Sequence, residues 1–162
     1  MPSFIFRCLS WLEDTSWAIS IRQSLWLYPA LEIVHIAGLA ILVGLAFMFD
    51  LRLLGISKNL PIAGLYRHLL PWSERSLLLI IPSGMLLFIT NAKTLGADPT
   101  FWLKMILLVV AALNVLVFHT FIFKHHTDPK LQGELPFSAK ISAYVSITVW
   151  IAVIACGRLL AY

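Results

Sequence analysis

Residues 31–49 read LEIVHIAGLAILVGLAFMF, and this stretch decides the fold. With its flanks it makes an apolar run over residues 25–49, and about 20 such residues cross a bilayer as a helix. Glu32 and His35 interrupt it. They stand three apart, on one face of that helix, with His35 within about 5 Å of its midpoint. An ionisable side chain at that depth costs at least about 2.5 kcal/mol to insert, so such residues face a bundle interior and mark candidate sites.

Three further runs of similar length follow, at 69–90, 101–123 and 139–161. None alternates apolar and polar residues as a barrel strand would, so the chain is expected to be an all-α membrane protein with a bundle of four transmembrane helices. The composition agrees: 60% of the 162 residues are hydrophobic and 12% charged, and the mean hydropathy is +0.88, which excludes an ordinary soluble domain. The net charge of +4 fits basic loops facing anionic lipid rather than nucleic acid. Cys8 and Cys156 lie far apart, with no CxxC or CxxCH spacing for a thiolate zinc site or covalent haem. No linker is long enough to divide residues 1–162 into separate domains.

Residues 1–24 mix Phe4, Phe6, Trp11, Trp17 and Ile19 with Arg7, Glu13, Asp14 and Arg22, the pattern of an amphipathic helix lying in the membrane interface. They show neither the long apolar core nor the cleavage site of a signal peptide. The loops LGISKNLPIAGLYRH and KHHTDPKLQGELPFSAK hold Arg52 at their edge, Lys58, Arg67, Lys124, Lys130 and Lys140. The positive-inside rule therefore puts both termini outside. NAKTLGADPT, between the second and third spans, is expected to be a compact turn.

Lys104 and Arg158 fall near the outer ends of the third and fourth spans. Together with Glu32 and His35 they form a candidate polar pocket in the outer half of the bundle. The plainer alternative is that both cations snorkel to headgroups and one of them pairs Glu32. His119 falls near the inner end of the third span, on the face that carries Lys104, Leu108, Ala111 and Val115. Gly38 and Gly44, Ser83 and Gly84, and Ser142, Ser146 and Gly157 give small-residue surfaces for close helix packing, and Pro82 should kink the second span. The run HHTDP, with His125, His126 and Asp128, is a weak metal signal without fixed geometry.

A histidine on a membrane helix among small residues is a common way to hold b-type haem, with nearby cations pairing the propionates. Quinone binding or a proton relay would use the same residues. His35 and His119 are both candidate haem-iron ligands, but they differ in depth by about 15 Å and are poor ligands for one iron. Either two cofactors sit at different depths, or one histidine ligates alone or with a non-histidine partner, or the helix ends lie a turn or more from these bounds. Met85 and Met105 are conceivable second ligands that more often serve packing.

WLYPALEIVHIAGLAILVG, DLRLLG and GRLLAY resemble an uncharacterised family of small bacterial four-helix membrane proteins. The third span, FWLKMILLVVAALNVLVFH, is more distantly similar to the haem-containing protoporphyrinogen oxidases and the copper-resistance D membrane domains. A histidine near the start of an early helix, followed by small residues and an Arg at the helix end, is also similar and matches His35, Gly38 and Arg52. The likeness implies His35 as a haem ligand and Lys104 as a functional lysine, and the expected location is the bacterial inner membrane. The sequence departs from the oxidases after His35 and lacks a methionine-rich copper motif, which weighs against both substrates. Three functions follow as expectations: a haem b protein passing electrons to or from quinone or a membrane or soluble redox partner; a homo-oligomeric transport unit for a metal ion or small solute; and a noncatalytic anchor or assembly subunit.

Overall fold

The structure is a computed structural model that describes residues 3–56, 59–123 and 136–160. Among them every regular element is a helix: α1 Ser3–Glu13, α2 Ser16–Gln23, α3 Leu27–Leu53, α4 Ile62–Thr90, α5 Ala92–Ala97, α6 Pro99–Val117 and α7 Phe137–Leu159. α6 runs on into a π-helical turn, Phe118–Phe123. α3, α4, α7 and α6 with its extension are long and apolar enough to cross a membrane, which makes the chain a multi-pass membrane protein. The loop carrying His125, His126 and Asp128 lies outside the described residues.

The spans depart from the apolar runs where polar residues are carried inside the fold. α3 continues past Phe49 through Asp50, because Asp50 and Leu53 are both buried. It ends where Gly55 takes φ 97°. There Ile56 N–H donates to the Leu51 carbonyl and Gly55 N–H to that of Arg52, a paired closure that needs the left-handed conformation glycine allows. α4 starts seven residues before the expected 69, at Ile62 after Pro61, and continues through Pro71 and Pro82. Each proline lacks an N–H, but in a packed membrane helix neighbouring groups absorb that loss. α6 opens with Pro99 in its first turn, and the Asp98 carboxylate accepts from Thr100 N–H at 2.7 Å, a combination suited to a helix start.

Two expectations at the end bearing the N-terminus are corrected. The N-terminal segment is two helices rather than one, since Thr15 caps α2 by accepting from Ala18 N–H. The expected turn NAKTLGADPT contains α5, whose Gly96 carbonyl accepts from the Trp102 indole at 3.0 Å. α1, α2 and α5 pack against this end of the bundle, called here the capped end. Leu9, Ala18 and Ile21 face inward, while Phe4, Phe6, Trp11 and Trp17 are exposed.

α3 packs against α4 on one side and α7 on the other, and α6 packs on α7. Nearly half of the most apolar stretch of α7 is buried, against less than a fifth of the corresponding stretch of each other span. Its buried residues Ser142, Ala143, Ser146, Val149, Trp150, Val153 and Cys156 recur at the three-and-four spacing of a helix seam. Among the described residues, no Cα of α4 comes within 8 Å of one of α6. Side chains bridge that gap: Phe88 stacks on Phe101 with centroids 5.1 Å apart, and Tyr66 meets His119 at the far end. Gly38 allows α3 to approach α4, since a β-carbon there would stand 2.8 Å from Ile80 Cγ1. Gly44, expected to serve the same purpose, faces open space, because it points away from both neighbouring spans.

Candidate functional site

α3 turns His35 toward α4, where its Nδ1 lies 3.1 Å from the Ile80 carbonyl oxygen and 3.0 Å from Ser83 Oγ. The ring rests on Gly84: a β-carbon there would stand 2.9 Å from His35 Cε1. Donation of Nδ1–H to the Ile80 carbonyl fixes the tautomer and leaves the lone pair on Nε2, the nitrogen that would bind a metal or a proton. The bare Gly84 surface is thus a cradle for the imidazole.

Lys104 of α6 is the cation within electrostatic reach of that ring. It is half-buried, and its Nζ stands 3.7 Å from the position a Gly157 β-carbon would take. The fold therefore brings His35 and Lys104 toward one another across the capped half of the bundle. Glu32 is exposed one turn above His35, within reach of the Tyr28 hydroxyl, which also approaches Asn91. Arg158 is exposed beside Gly157 on α7. His35 sits five residues, about 7.5 Å, from the midpoint of α3, farther toward the capped end than its apolar run implied, because the helix extends to Leu53.

His119 is elsewhere. It lies in the π-helical turn, its Nδ1 3.0 Å from the Tyr66 hydroxyl, in an aromatic group with Phe49 and Phe118. Its partner Tyr66 and His35's partner Ile80 stand 14 residues apart on α4, about 21 Å along the axis. Of the face assigned to His119, Ala111 is buried whereas Val115 is 48% exposed. Asn114 instead turns toward α7, donating from Nδ2 to the Ser142 carbonyl and accepting at Oδ1 from the Ser142 hydroxyl, both at 3.0 Å.

Two polar features escaped the sequence reading. Asp50 is buried on α3, 6% exposed, with Ser146 of α7 within hydrogen-bonding reach. Its signal was positional: Val43, Ala46, Asp50 and Leu53 recur at helix-face spacing. The other lies at the capped end, where Glu13 accepts from Lys93 N–H at 2.7 Å and pairs Lys93 Nζ at 3.1 Å. Arg22 donates to the carbonyls of Thr90 and Glu13. Burial alone would raise the Glu13 carboxyl, but the Lys93 hydrogen bonds and the charges of Lys93 and Arg22 hold it below the usual carboxylate range. No local motif announces this latch, because its partners are 80 residues apart.

A family model covers residues 21–162, which takes in all four spans and every polar group just described within them. The chain belongs to DUF6644. DUF6644 is a family of unknown function, in keeping with the expected uncharacterised membrane family. No curated protein and no solved structure matches the chain. The DUF6644 match leaves out α1 and most of α2, so Glu13 and its half of the latch stand outside it while Lys93 stands inside.

Among the clefts lined by described residues of this DUF6644 protein are two beside α4. One, about 420 Å³, lies between α2, α3 and α4 and is lined chiefly by Trp17, Ile21, Leu27, Leu31 and Leu86. The other, about 250 Å³, lies at the start of α4 beside His68. Among the described residues no three His, Cys, Asp or Glu side chains gather as a metal-ion cluster. A group held by a single imidazole, as some haems are, needs no such cluster. His35, with its Nδ1 anchored and its ring on Gly84, is the residue that could hold such a group, and Lys104 is the half-buried cation on its side of the bundle.

Proposed function

We propose that this DUF6644 protein is a b-type haem protein of the bacterial cytoplasmic membrane that transfers electrons, and that His35 would hold the haem iron. The observation that carries this reading is the His35 imidazole seated on Gly84 with Nδ1 anchored to the Ile80 carbonyl. Metal-binding histidines characteristically hold the second nitrogen in this way, which orients the ring and raises its basicity. The distant similarity of the third span to haem-containing protoporphyrinogen oxidases and copper-resistance D domains supports the same reading.

Bound haem would supply a one-electron couple. The chain's own part is to orient and insulate. Ile80 and Ser83 hold the imidazole in one rotamer and one tautomer. Gly84 keeps side-chain bulk away from the ring, and Lys104 brings positive charge to the capped half of the bundle, where it would pair a propionate. The exposed apolar faces of α3, α4 and α6 turn toward lipid and keep water away from the site. Quinone, or a redox partner docking at the membrane surface, is the proposed electron exchanger.

The positions of Arg52, Arg67 and Lys140 favour the far end as the cytoplasmic one, with both termini outside. Protein purified in detergent from haem-replete cells should show a Soret band and a reduced α band, and His35→Ala should abolish or displace both. A colourless wild-type preparation would overturn the proposal.

A further inference from the structure

Asp50 is an acid enclosed in the far half of the bundle. It is 6% exposed, and its Oδ2 has no hydrogen-bond partner. The adjacent Phe49 and Leu53 pack with Phe118, Ala139 and Ala143, so the wall around it is largely apolar. Across from it Ser146 of α7 offers one hydroxyl. One turn farther along α7, Ser142 and Asn114 satisfy each other.

A buried carboxylate left with one bare oxygen is costly by several kcal/mol unless a positive charge meets it. Among the described residues no cation makes an ion pair with it. The ionisable groups on the surrounding elements point elsewhere. On α3, Arg52 donates from Nε to the Leu60 carbonyl at 2.7 Å. On α4, Tyr66 binds His119 of the π-helical turn, Arg67, His68 and Glu74 are exposed, and Arg75 lies over the Trp72 ring. On α7, Lys140 is exposed, and α6 carries no ionisable side chain between Lys104 and its end.

Nothing among the described residues supplies the neutralising charge, which points to a small ligand. A hard metal cation prefers six or more oxygens, whereas the side chains of Asp50 and Ser146 contribute three, and the polar atoms of Asn114 and Ser142 are already engaged with each other. A proton needs one.

We propose that Asp50 is a proton-binding site within the bundle and that Ser146 positions its carboxyl. Oδ2 takes a proton from a hydronium ion at the far end, one O–H bond forming as the hydronium's breaks to leave water and a neutral carboxylic acid, and the reverse step returns the proton to water. Asp50 stands three residues, about 4.5 Å, from the end of α3, so exchange with water at that helix end has a short path. An intramembrane acid that gains and loses a proton is the unit from which proton-coupled charge movement is built. The inference is independent of haem.

Infrared spectra of the full-length protein, recorded between acidic and alkaline pH in H2O and D2O, test it. The expected result is a carboxylic-acid C=O band that shifts in D2O, vanishes at alkaline pH and is absent from Asp50→Asn. Asp50→Glu should restore a band, and Ser146→Ala should move the wild-type band to higher frequency by removing a hydrogen bond. If Asp50→Asn does not fold, the Ser146→Ala shift alone decides. Spectra in which neither substitution changes any pH-dependent acid band would overturn the proposal. So would sodium-dependent thermal stabilisation that Asp50→Asn removes in the absence of such a band.

Discussion

The imidazole of His35 and the bare backbone of Gly84 fit face to face, with 2.9 Å between the ring's Cε1 and the point where a β-carbon would stand. Contact that short is not sustained by real side chains, so Gly84→Ala must push the ring or the helix aside. The ring is tethered at Nδ1 and cannot swing away without losing that bond. Overpacking of this kind costs about 1–3 kcal/mol. Gly84→Ala should lower the thermal midpoint in detergent more than Gly44→Ala, whose β-carbon would enter open space. Equal midpoints for the two variants would contradict the cradle.

The latch at the capped end gives a pH dependence of definite sign. The Glu13 carboxyl is held below the usual carboxylate range in the fold, so its pairing stabilises fully above that range. The contribution disappears as the pH falls through the lower folded value. Glu13→Gln should reduce stability near neutral pH by up to about 1.5–3 kcal/mol, the scale of hydrogen bonds to a charged group. The difference from wild type should shrink toward zero in acid. A difference that persists unchanged into acid would show that Glu13 acts without its charge.

Asn114 and Ser142 join α6 to α7 by two hydrogen bonds. Interhelical polar pairs in membranes average about 0.6 kcal/mol and reach about 1.7. A double-mutant cycle with Asn114→Ala and Ser142→Ala, read by unfolding in mixed micelles, should yield a coupling within that range. Purely additive effects would mean the pair contributes nothing beyond its separate contacts.

The four spans were legible because about 20 apolar residues have few uses other than crossing lipid. His35 stood out for the same reason, an imidazole deep in such a run. Its setting was not legible, since Ile80, Ser83 and Gly84 lie 45 to 49 positions away and only helix pairing brings them together. Asp50 went unnoticed because it closes an apolar run, where an acid reads as the start of a loop. Burial against α7 reverses that reading, and the same burial carries α3 on to Leu53. The early start of α4 was hidden by Pro61 and Gly64, residues that usually punctuate loops. Glu13 and Lys93 read as opposite surface charges until α1 and α5 are seen to pack together.

The haem-to-protein ratio, measured side by side for wild type, His35→Ala and His119→Ala, tests the central claim most directly. His119 binds Tyr66, about 21 Å along α4 from the partners of His35, so the two substitutions address separate places. The account predicts haem in the wild type, retention in His119→Ala and loss in His35→Ala. Haem-free wild-type protein, or haem kept by His35→Ala and lost by His119→Ala, would contradict it.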